Sequence, residues 1–366
     1  MRFRKTRAGF GTLAALVVTL IAAGCGGDEA SSETPTTFKQ PANSEAETDV
    51  PEGLEPKPLD EPATVRVVRS NLYEYFAPFE LGVVMGEFEK ENITIEATTA
   101  TPSDGLVLLA SGQVDVLASA LSAGTMNAMV SSPIRMVAMG YSSAPETKAG
   151  LWVRRDKVED PDTGELDLSK LKGARVGSTT GAGSPTSLPI AAALEDVGLS
   201  IGDIEFVKLG GSDLVLALEN GSLDAAWLTD PLWTEAVGNP DLAHAFNDSG
   251  LGLTGYLFGD RLLSQDREVG EAFVRAMVRT SQLYLQGDYH ANDDVAPALA
   301  KALDVPLDVM RGAPSNKFDP NLSLKPELAE LAQKTYLVTP DVLSYDRPRP
   351  ADEVFDAGFL EAVVGQ

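Results

Sequence analysis

From residue 65 onward, short apolar runs alternate with segments whose apolar residues recur every three to four positions. Short apolar runs bounded by turn residues favour buried strands, and the longer spacing favours amphipathic helices. In the segment after residue 184, for example, Ile190, Ala193, Leu194 and Val197 line one helical face. The predicted strands cover residues 65–70, 93–97, 114–118, 134–139, 174–178, 204–209, 223–227, 242–245 and 252–258. The predicted helices cover residues 78–90, 103–110, 122–130, 184–197, 212–219, 231–237 and 267–285.

Strands that alternate with helices predict an α/β fold in which parallel sheets are covered on both faces. The pattern also repeats. A Ser-Asp pair at 103–104 opens a helix, Gly112 closes it and Asp115 follows, and the same residue types recur at the same spacing over 212–224. Ser and Asp favour helix starts and Gly favours helix ends. The repeat predicts two lobes of similar design, the arrangement of a clamshell that closes on a ligand. A chance match of common helix punctuation is the alternative.

The first 24 residues form a targeting segment that lies outside the fold. Basic residues at positions 2, 4, 5 and 7 precede an apolar run too short to span a bilayer comfortably, and the segment ends at Cys25. This resembles a bacterial lipoprotein signal, although Ala22 stands where leucine is usual. The resemblance implies that Cys25 is lipidated and anchors the chain to the cell membrane. An ordinary secretory peptide with an incidental cysteine is the alternative.

Residues 25–62 are rich in Pro, Ser, Thr and acidic residues, which predicts a disordered tether with a mean reach of about 35 Å. Cys25 is the only cysteine, so no disulfide can form within one chain. The chain has 29 basic and 54 acidic residues, and without the four basic residues of the leader its formal charge is −29. A charge this negative argues against nucleic acid as a partner and against adhesion to anionic lipid.

A glycine-bearing turn at residues 179–183 separates a predicted strand from a helix that starts at Ser184 and Pro185. Both residues favour a helix start. The free backbone N–H groups of such a turn can bind an oxyanion or a carbonyl. Neither the Lys-Ser/Thr of a phosphate-binding loop nor the third glycine of a dinucleotide fingerprint follows Gly181 and Gly183, so the turn does not indicate a nucleotide site. An ordinary strand-to-helix turn is the alternative.

Several segments in order along the chain resemble the periplasmic substrate-binding proteins of ABC importers, in the branch for nitrate, sulfonates, taurine and thiamine-pyrimidine precursors. They are PFELGVVMGEFEKENITIEAT (78–98), GQVDVLASALSAG (112–124), LSKLKGARVGSTTGAGSP (168–185), GSLDAAWLTDPLW (221–233) and SYDRPRPADEVFD (344–356). The resemblance implies two Rossmann-like lobes with the ligand in the cleft between them. We expect lobe 1 to comprise residues 63–150 and 252–366, and lobe 2 residues 151–251, with the hinge near 147–151 and 252–256.

Ligands of open α/β sheets bind outside the carboxyl ends of the strands, and the ligand contacts of the family fall in the same loops. The candidate ligand-binding residues are Asn71, Tyr73, Tyr75, Ser119, Ala120, Ser142, Thr180, Gly181, Gly183, Ser184, Trp227 and Asp230. Simpler roles exist for several of them. Ser119, Ser184 and Asp230 can cap helices, Trp227 can belong to a lobe core, and the tyrosines can lie on the surface.

The candidate set offers hydroxyls, amides and aromatic rings but no Arg or Lys at a strand end. A small hard anion such as nitrate would recruit a cation. The set therefore favours a neutral or zwitterionic organic solute, while binding of a sulfonate through backbone amides stays open.

The sequence offers little for catalysis or for a metal. His244 and His290 are its two histidines, and it has no His-x-Glu, Cys-x-x-Cys or Gly-x-Ser-x-Gly motif. We expect no metal, cofactor or catalytic residue. The sequence predicts a monomeric lipoprotein on the extracytoplasmic face of the membrane that delivers a small solute to a permease. The alternatives are a thiamine- or menaquinone-pathway enzyme of the same fold and a membrane-tethered sensor.

Overall fold

The computed structural model describes residues 50–365, except 71, 180, 230, 231 and 249. Strands and helices alternate through most of this range, and a largely helical part follows. The strands are β1 (Ala63–Arg69), β2 (Ile93–Thr99), β3 (Val116–Ala120), β4 (Arg135–Met139), β5 (Tyr141–Ser142), β6 (Gly150–Arg154), β7 (Arg175–Ser178), β8 (Glu205–Lys208), β9 (Ala225–Leu228), β10 (Leu242–Phe246), β11 (Thr254–Phe258) and β12 (Lys317–Phe318). The α-helices are α1 (Ala77–Val84), α2 (Pro102–Ala110), α3 (Ala123–Ser131), α4 (Arg155–Val158), α5 (Ser187–Glu195), α6 (Gly211–Glu219), α7 (Trp233–Ala236), α8 (Arg267–Tyr284), α9 (Val295–Ala302), α10 (Leu307–Gly312), α11 (Pro326–Leu337) and α12 (Gly358–Val364).

Two five-stranded sheets define two lobes with the same topology. The first sheet has the order β2-β1-β3-β11-β4 and the second the order β8-β7-β9-β6-β10. In each, the first three strands are parallel and the fourth runs antiparallel to its neighbours. The fourth strand of each sheet follows a crossing from the other lobe. The α/β prediction with two similar lobes is confirmed, although each sheet is mixed and not wholly parallel.

The sequence repeat has a structural cause. The Asp115 carboxylate accepts a hydrogen bond from the backbone N–H of Arg66 at 2.9 Å. The Asp224 carboxylate accepts the equivalent bond from the backbone N–H of Arg175, also at 2.9 Å. Each aspartate thus ties the start of the third strand of its sheet to the second strand, which explains why the helix–Gly–Asp spacing is the same in both lobes.

Two crossovers join the lobes. The first crossover comprises residues 143–149 and the second comprises residues 247–253, with 249 outside the described residues. Ser143 Oγ donates to Asp248 Oδ2 at 2.8 Å. Asn247 Nδ2 donates to the carbonyl of Ala144 at 3.5 Å. The two crossovers therefore run side by side. The second one includes the first two residues of the expected hinge at 252–256, and the other three belong to β11.

The structure describes the predicted tether (residues 25–62) only from residue 50, and there the prediction of disorder is wrong for residues 54–59. Leu54 is only 2% exposed and Leu59 is also buried in the core of the first lobe. Arg279 Nη1 donates to the carbonyl of Leu54 at 3.0 Å, and Arg275 Nη2 to that of Lys57 at 3.1 Å. The prediction rested on the average composition of the segment, which is polar although it contains these two leucines. The arginines that bind its carbonyl groups lie more than 200 residues later in the sequence. Residues 54–59 are therefore part of the folded lobe.

Three boundaries differ from the prediction in ways that affect the site. Helix α1 ends at Val84, before residue 90, because Gly86 adopts a left-handed conformation with φ of 72°. Strand β3 runs to Ala120, and α5 begins at Ser187 after a 3₁₀ turn at Gly181–Gly183.

Cys25, the leader and most of the tether lie outside the described residues. Within the described part of the chain, no helix combines the length and apolar character that a membrane span requires.

Candidate functional site

The turn after β7 in the second lobe lies against the start of α3 in the first lobe. A Cβ atom at Gly183 would come within 2.8 Å of the Cβ atom of Ala123 and 3.3 Å of a methyl group of Val342. Only glycine allows this approach. Leu188, at the start of α5, belongs to a hydrophobic cluster whose other buried members come from the first lobe. The lobes therefore meet at two strand-to-helix connections.

Hydroxyl groups organise both connections. In the first lobe, Ser122 Oγ accepts from the Thr125 amide at 3.2 Å and caps α3. In the second lobe, Ser178 Oγ accepts from the Gly181 amide at 2.8 Å, and Gly181 has a φ of 73°. Ser184 Oγ accepts from the Thr186 amide at 3.3 Å. Helix starts carry backbone amides without helical partners, and here serine hydroxyls already accept from three amides of the two connections.

The structure brings some predicted residues together here. Ala120, Gly181, Gly183 and Ser184 belong to the two meeting connections, and Ser184 is buried. Ser119 lies inside β3 opposite Gly255 and is also buried, because the strand ends two residues later than predicted. Asn71, Thr180 and Asp230 lie outside the described residues.

The other predicted residues lie elsewhere. The Tyr75 ring packs 4.8 Å from that of Tyr141, and the Tyr73 ring lies 5.2 Å from that of Tyr75. Ser142 belongs to β5, paired with Lys317. Tyr75 and Ser142 thus lie near the first crossover, beside or within β5. Trp227 is 7% exposed and belongs to the core of the second lobe.

A buried ion pair lies at the carboxyl end of β1, where the sequence analysis recognised no cation. Arg69 is the last residue of β1, and its Nη1 lies 3.0 Å from Glu80 Oε2 on α1. Lys208 likewise ends β8. The statement that no Arg or Lys ends a strand is therefore wrong, because β1 stops one residue earlier than predicted. An anionic solute is therefore no longer disfavoured by an absence of cations at the strand ends.

The environment of this pair is strongly desolvating. Arg69 is 8% exposed and Glu80 is 3% exposed. Burial raises the pKa of Glu80 to about 7, although the Arg69 guanidinium acts in the opposite direction. Arg69 Nε and Glu80 Oε1 are buried without a hydrogen-bond partner, and so is Thr254 Oγ1, opposite Ala120 on β11. Unsatisfied buried polar atoms are uncommon, so this end of the first sheet joins the candidate site. Of these groups, only Arg69 could have been recognised from the sequence, because it stands near the end of the strand-like run VRVVRS.

Metal binding has no support among the described residues, where no group of three or more His, Cys, Asp and Glu side chains is placed to hold an ion. His290 is buried and bonded to Glu74 in the loop after β1. His244 is half-buried in β10 with its ring 5.7 Å from that of Trp152. Neither histidine lies beside the meeting strand-to-helix connections.

Comparisons with known proteins agree with this architecture. A family model described as "NMT1/THI5 like" matches residues 74–286, more than half of the chain. No curated protein sequence matches. Among solved structures, the periplasmic aliphatic sulphonate-binding protein SsuA from Escherichia coli has a TM-score of 0.60 and 17% identity, over 81% of this chain and 92% of that chain.

Two further structures are similar to the same extent. The alkanesulfonate-binding protein SsuA from Xanthomonas axonopodis pv. citri, bound to MOPS, has a TM-score of 0.59 and 18% identity, over 81% of this chain and 99% of that one. The periplasmic nitrate-binding protein NrtA from Synechocystis PCC 6803 has a TM-score of 0.59 and 14% identity, over 84% and 90%. At these identities the likeness establishes the fold alone, which is the clamshell of periplasmic binding proteins.

Proposed function

Because this chain belongs to the NMT1/THI5-like family and has the clamshell fold, we propose that it is an extracytoplasmic solute-binding lipoprotein of an ABC importer. It captures a small organic solute, of sulfonate, taurine-like or pyrimidine-like type, and delivers it to a permease. The observation that carries the proposal is the approach of the Gly183 turn to the start of α3. Strand-to-helix connections of both lobes come together there, so we propose that one solute contacts both.

The proposed mechanism is binding coupled to closure. A solute that bridges the lobes makes contacts in the closed form that the open form lacks, so it shifts the population towards closure. The paired crossovers at 143–149 and 247–253 are the proposed hinge. We propose that lobe 1 comprises residues 63–150 and 252–366 and lobe 2 residues 151–251, and that residues 54–59 extend lobe 1.

The proposed contacts are the predicted residues of the cleft. Ala120, Gly181, Gly183 and Ser184 would bind the polar group of the solute, and Tyr73 would flank it. Arg69, although paired with Glu80, adds a cation at the end of β1, so we include a sulfonate or another organic anion among the proposed solutes. The remaining predicted contacts are Asn71, Tyr75, Ser119, Ser142, Thr180, Trp227 and Asp230.

The proposed location rests on the leader and on charge. Lipidation of Cys25 would provide stable anchoring through its acyl chains, and the acidic chain would not adhere to anionic lipid by itself. We propose a monomer that docks on its permease. A membrane-tethered sensor would use the same cleft. Transport of the solute that depends on this protein and a permease would distinguish an importer component from a sensor.

We propose no reaction for this site. A biosynthetic enzyme of the same fold is the alternative, and it would consume its solute. Incubation of the protein with each binding solute, followed by mass spectrometry of the solute, separates the two, because a binding protein returns the solute unchanged.

The proposal is tested by a solute screen on the chain from residue 50 onward, which keeps the buried Leu54 and Leu59. Thermal shift ranks sulfonates, taurine, nitrate, bicarbonate, pyrimidines and amines, and calorimetry then measures affinity. A solute at 100 times its dissociation constant should add about 2.7 kcal/mol to stability. Failure of every solute in the panel to bind would count against the importer function.

A further inference from the structure

A buried histidine contacts the loop between β1 and α1, of which the structure describes residues 70 and 72–76. These residues are called the first cleft loop below. His290 is 1% exposed and lies in a 3₁₀ turn after α8. Its Nε2 atom lies 3.1 Å from Oε1 of Glu74. The Tyr289 hydroxyl donates to the same Glu74 oxygen. Glu74 stands between Tyr73 and Tyr75, so these contacts fix the part of the loop that carries both rings.

The partners of the histidine ring specify its protonation state. Nδ1 of His290 lies 2.9 Å from the carbonyl oxygen of Ala313, and Nε2 faces the Glu74 carboxylate. Both partners are acceptors. Neutral imidazole has one N–H donor, whereas the imidazolium has two. Only the protonated ring donates to both partners.

The same histidine is connected to the first crossover. Its backbone N–H donates to Ser315 Oγ at 3.0 Å. The next residue, Asn316, accepts through Oδ1 from the Ala144 amide in the crossover at 3.0 Å. Phe318 and Tyr141 then pair between β12 and β5. Residues 313–318, here called the linking segment, therefore contact the histidine and the proposed hinge.

A second connection joins the loop to the crossovers through aromatic rings. The Tyr75 ring contacts that of Tyr141, and the Tyr141 hydroxyl lies 3.0 Å from Ser143 Oγ. Ser143 Oγ donates to Asp248 of the second crossover. The first cleft loop and the hinge region thus share two sets of contacts, one of which runs through the ionisable ring of His290.

We propose that protonated His290 is a positioning residue, which fixes the first cleft loop through Glu74 and couples that loop to the first crossover. The inference rests on the proposed function, because it assigns a role to a loop of the proposed solute site. Loss of the proton removes the bond from His290 to one of its two acceptors, and if that acceptor is Glu74, only the Tyr289 hydroxyl among the described residues still holds it. The loop and the crossover then loosen together, and the cleft becomes less preorganised.

The surrounding charges support this assignment. Burial lowers the pKa of His290, but the Glu74 carboxylate, the Ala313 carbonyl and Asp288 together raise it above its ordinary value. The titratable groups that act on the cluster are Glu74 from the loop, Tyr289 and Asp288 beside the histidine, and Tyr141 from β5. Glu74 and Asp288 favour the imidazolium, and burial opposes it.

Hydrogen–deuterium exchange of the full-length chain in detergent tests the coupling without any solute. After correction for the intrinsic pH dependence, exchange of peptides covering 72–78 and 143–149 should rise together between pH 6 and pH 9. His290→Gln should raise both at pH 6 by about tenfold, the effect expected for a lost charge-assisted hydrogen bond. Glu74→Gln should abolish the pH dependence of the loop peptide.

Two control variants isolate the connections. Asn316→Ala removes the side-chain bond to Ala144 and should raise exchange at 143–149 alone. Tyr345→Phe removes a hydroxyl that donates to Gln333, away from the loop, and should change neither peptide. If His290→Gln does not fold, the wild-type pH profile and Glu74→Gln still decide the matter.

A flat wild-type profile at 72–78, or a loop that loosens while 143–149 stays unchanged, would overturn the proposal. Those outcomes leave the importer function standing, since the solute screen tests that function separately. Conversely, a failed screen leaves the exchange result interpretable.

Discussion

Gly183 lies so close to Ala123 that a methyl group on the glycine would stand 2.8 Å from the alanine Cβ. The two residues belong to strand-to-helix connections of different lobes. Their contact brings the two connections together, and the proposed solute site depends on it.

Gly183→Ala should therefore weaken solute binding. The added methyl group keeps the turn away from Ala123, and overpacking of this kind costs about 1–3 kcal/mol, or roughly tenfold or more in affinity. Calorimetry with the best solute of the screen measures the change. Gly312→Ala is the matched control, because a Cβ atom there meets nothing within 4 Å. Equal affinities for Gly183→Ala and the parent would remove this turn from the site.

Loss of Glu80 should alter the pH dependence of stability. The pKa of this carboxyl is raised by burial to about 7, so the folded state holds a proton that the unfolded chain releases near pH 4.3. Stability from this group is greatest below the lower value and is lost as pH rises towards 7. Glu80→Gln should flatten the decline of the melting temperature between pH 5 and pH 8.

The exposed Glu61→Gln variant provides the control for that measurement. Its melting profile should follow that of the parent. A Glu80→Gln profile parallel to the parent over the same range would show that Glu80 does not exchange its proton on folding.

The paired aspartates should contribute unequally. Asp115→Asn and Asp224→Asn each weaken an acceptor for a backbone N–H, at a cost of about 1–3 kcal/mol. Asp115→Asn should lower the free energy of unfolding more than Asp224→Asn. The Asp115 carboxylate is fully buried and is also paired with Arg66 and Arg261, whereas the Asp224 carboxylate is partly exposed. Urea unfolding measures both free energies, and a larger loss for Asp224→Asn would contradict this ranking.

Leu54→Ala should destabilise the first lobe by about 2 kcal/mol or more, because the leucine is buried among core residues. Val50→Ala, at an exposed position four residues earlier, should have little effect. Urea unfolding of both variants tests whether the folded domain begins near residue 54. Equal free energies of unfolding for the two variants would indicate that residues 54–59 belong to the tether and not to the folded lobe.

The sequence predicted the fold well because the fold depends on local patterns. Apolar spacing identified most strands and helices, and the repeat around Asp115 and Asp224 revealed the equivalence of the lobes. The aspartates sit at fixed distances from helix ends, so a pattern along the chain reports their shared role.

The candidate site was less predictable because it depends on contacts between distant residues. His290 and Glu74 are 216 positions apart, and nothing in the local pattern of either indicates the other. Arg69 was missed because the end of β1 shifted by a single residue. Burial of Trp227 follows from the packing of the second lobe, which periodicity does not specify. Boundary errors of this size hardly affect a fold but decide which side chains reach a cleft.

The central claim, that a solute bridges two lobes which close upon it, is tested most directly by small-angle X-ray scattering. The chain from residue 50 onward is measured alone and then with a saturating concentration of the solute that binds best by calorimetry. We predict that the radius of gyration falls when the solute is added. An unchanged radius at full occupancy would contradict the account.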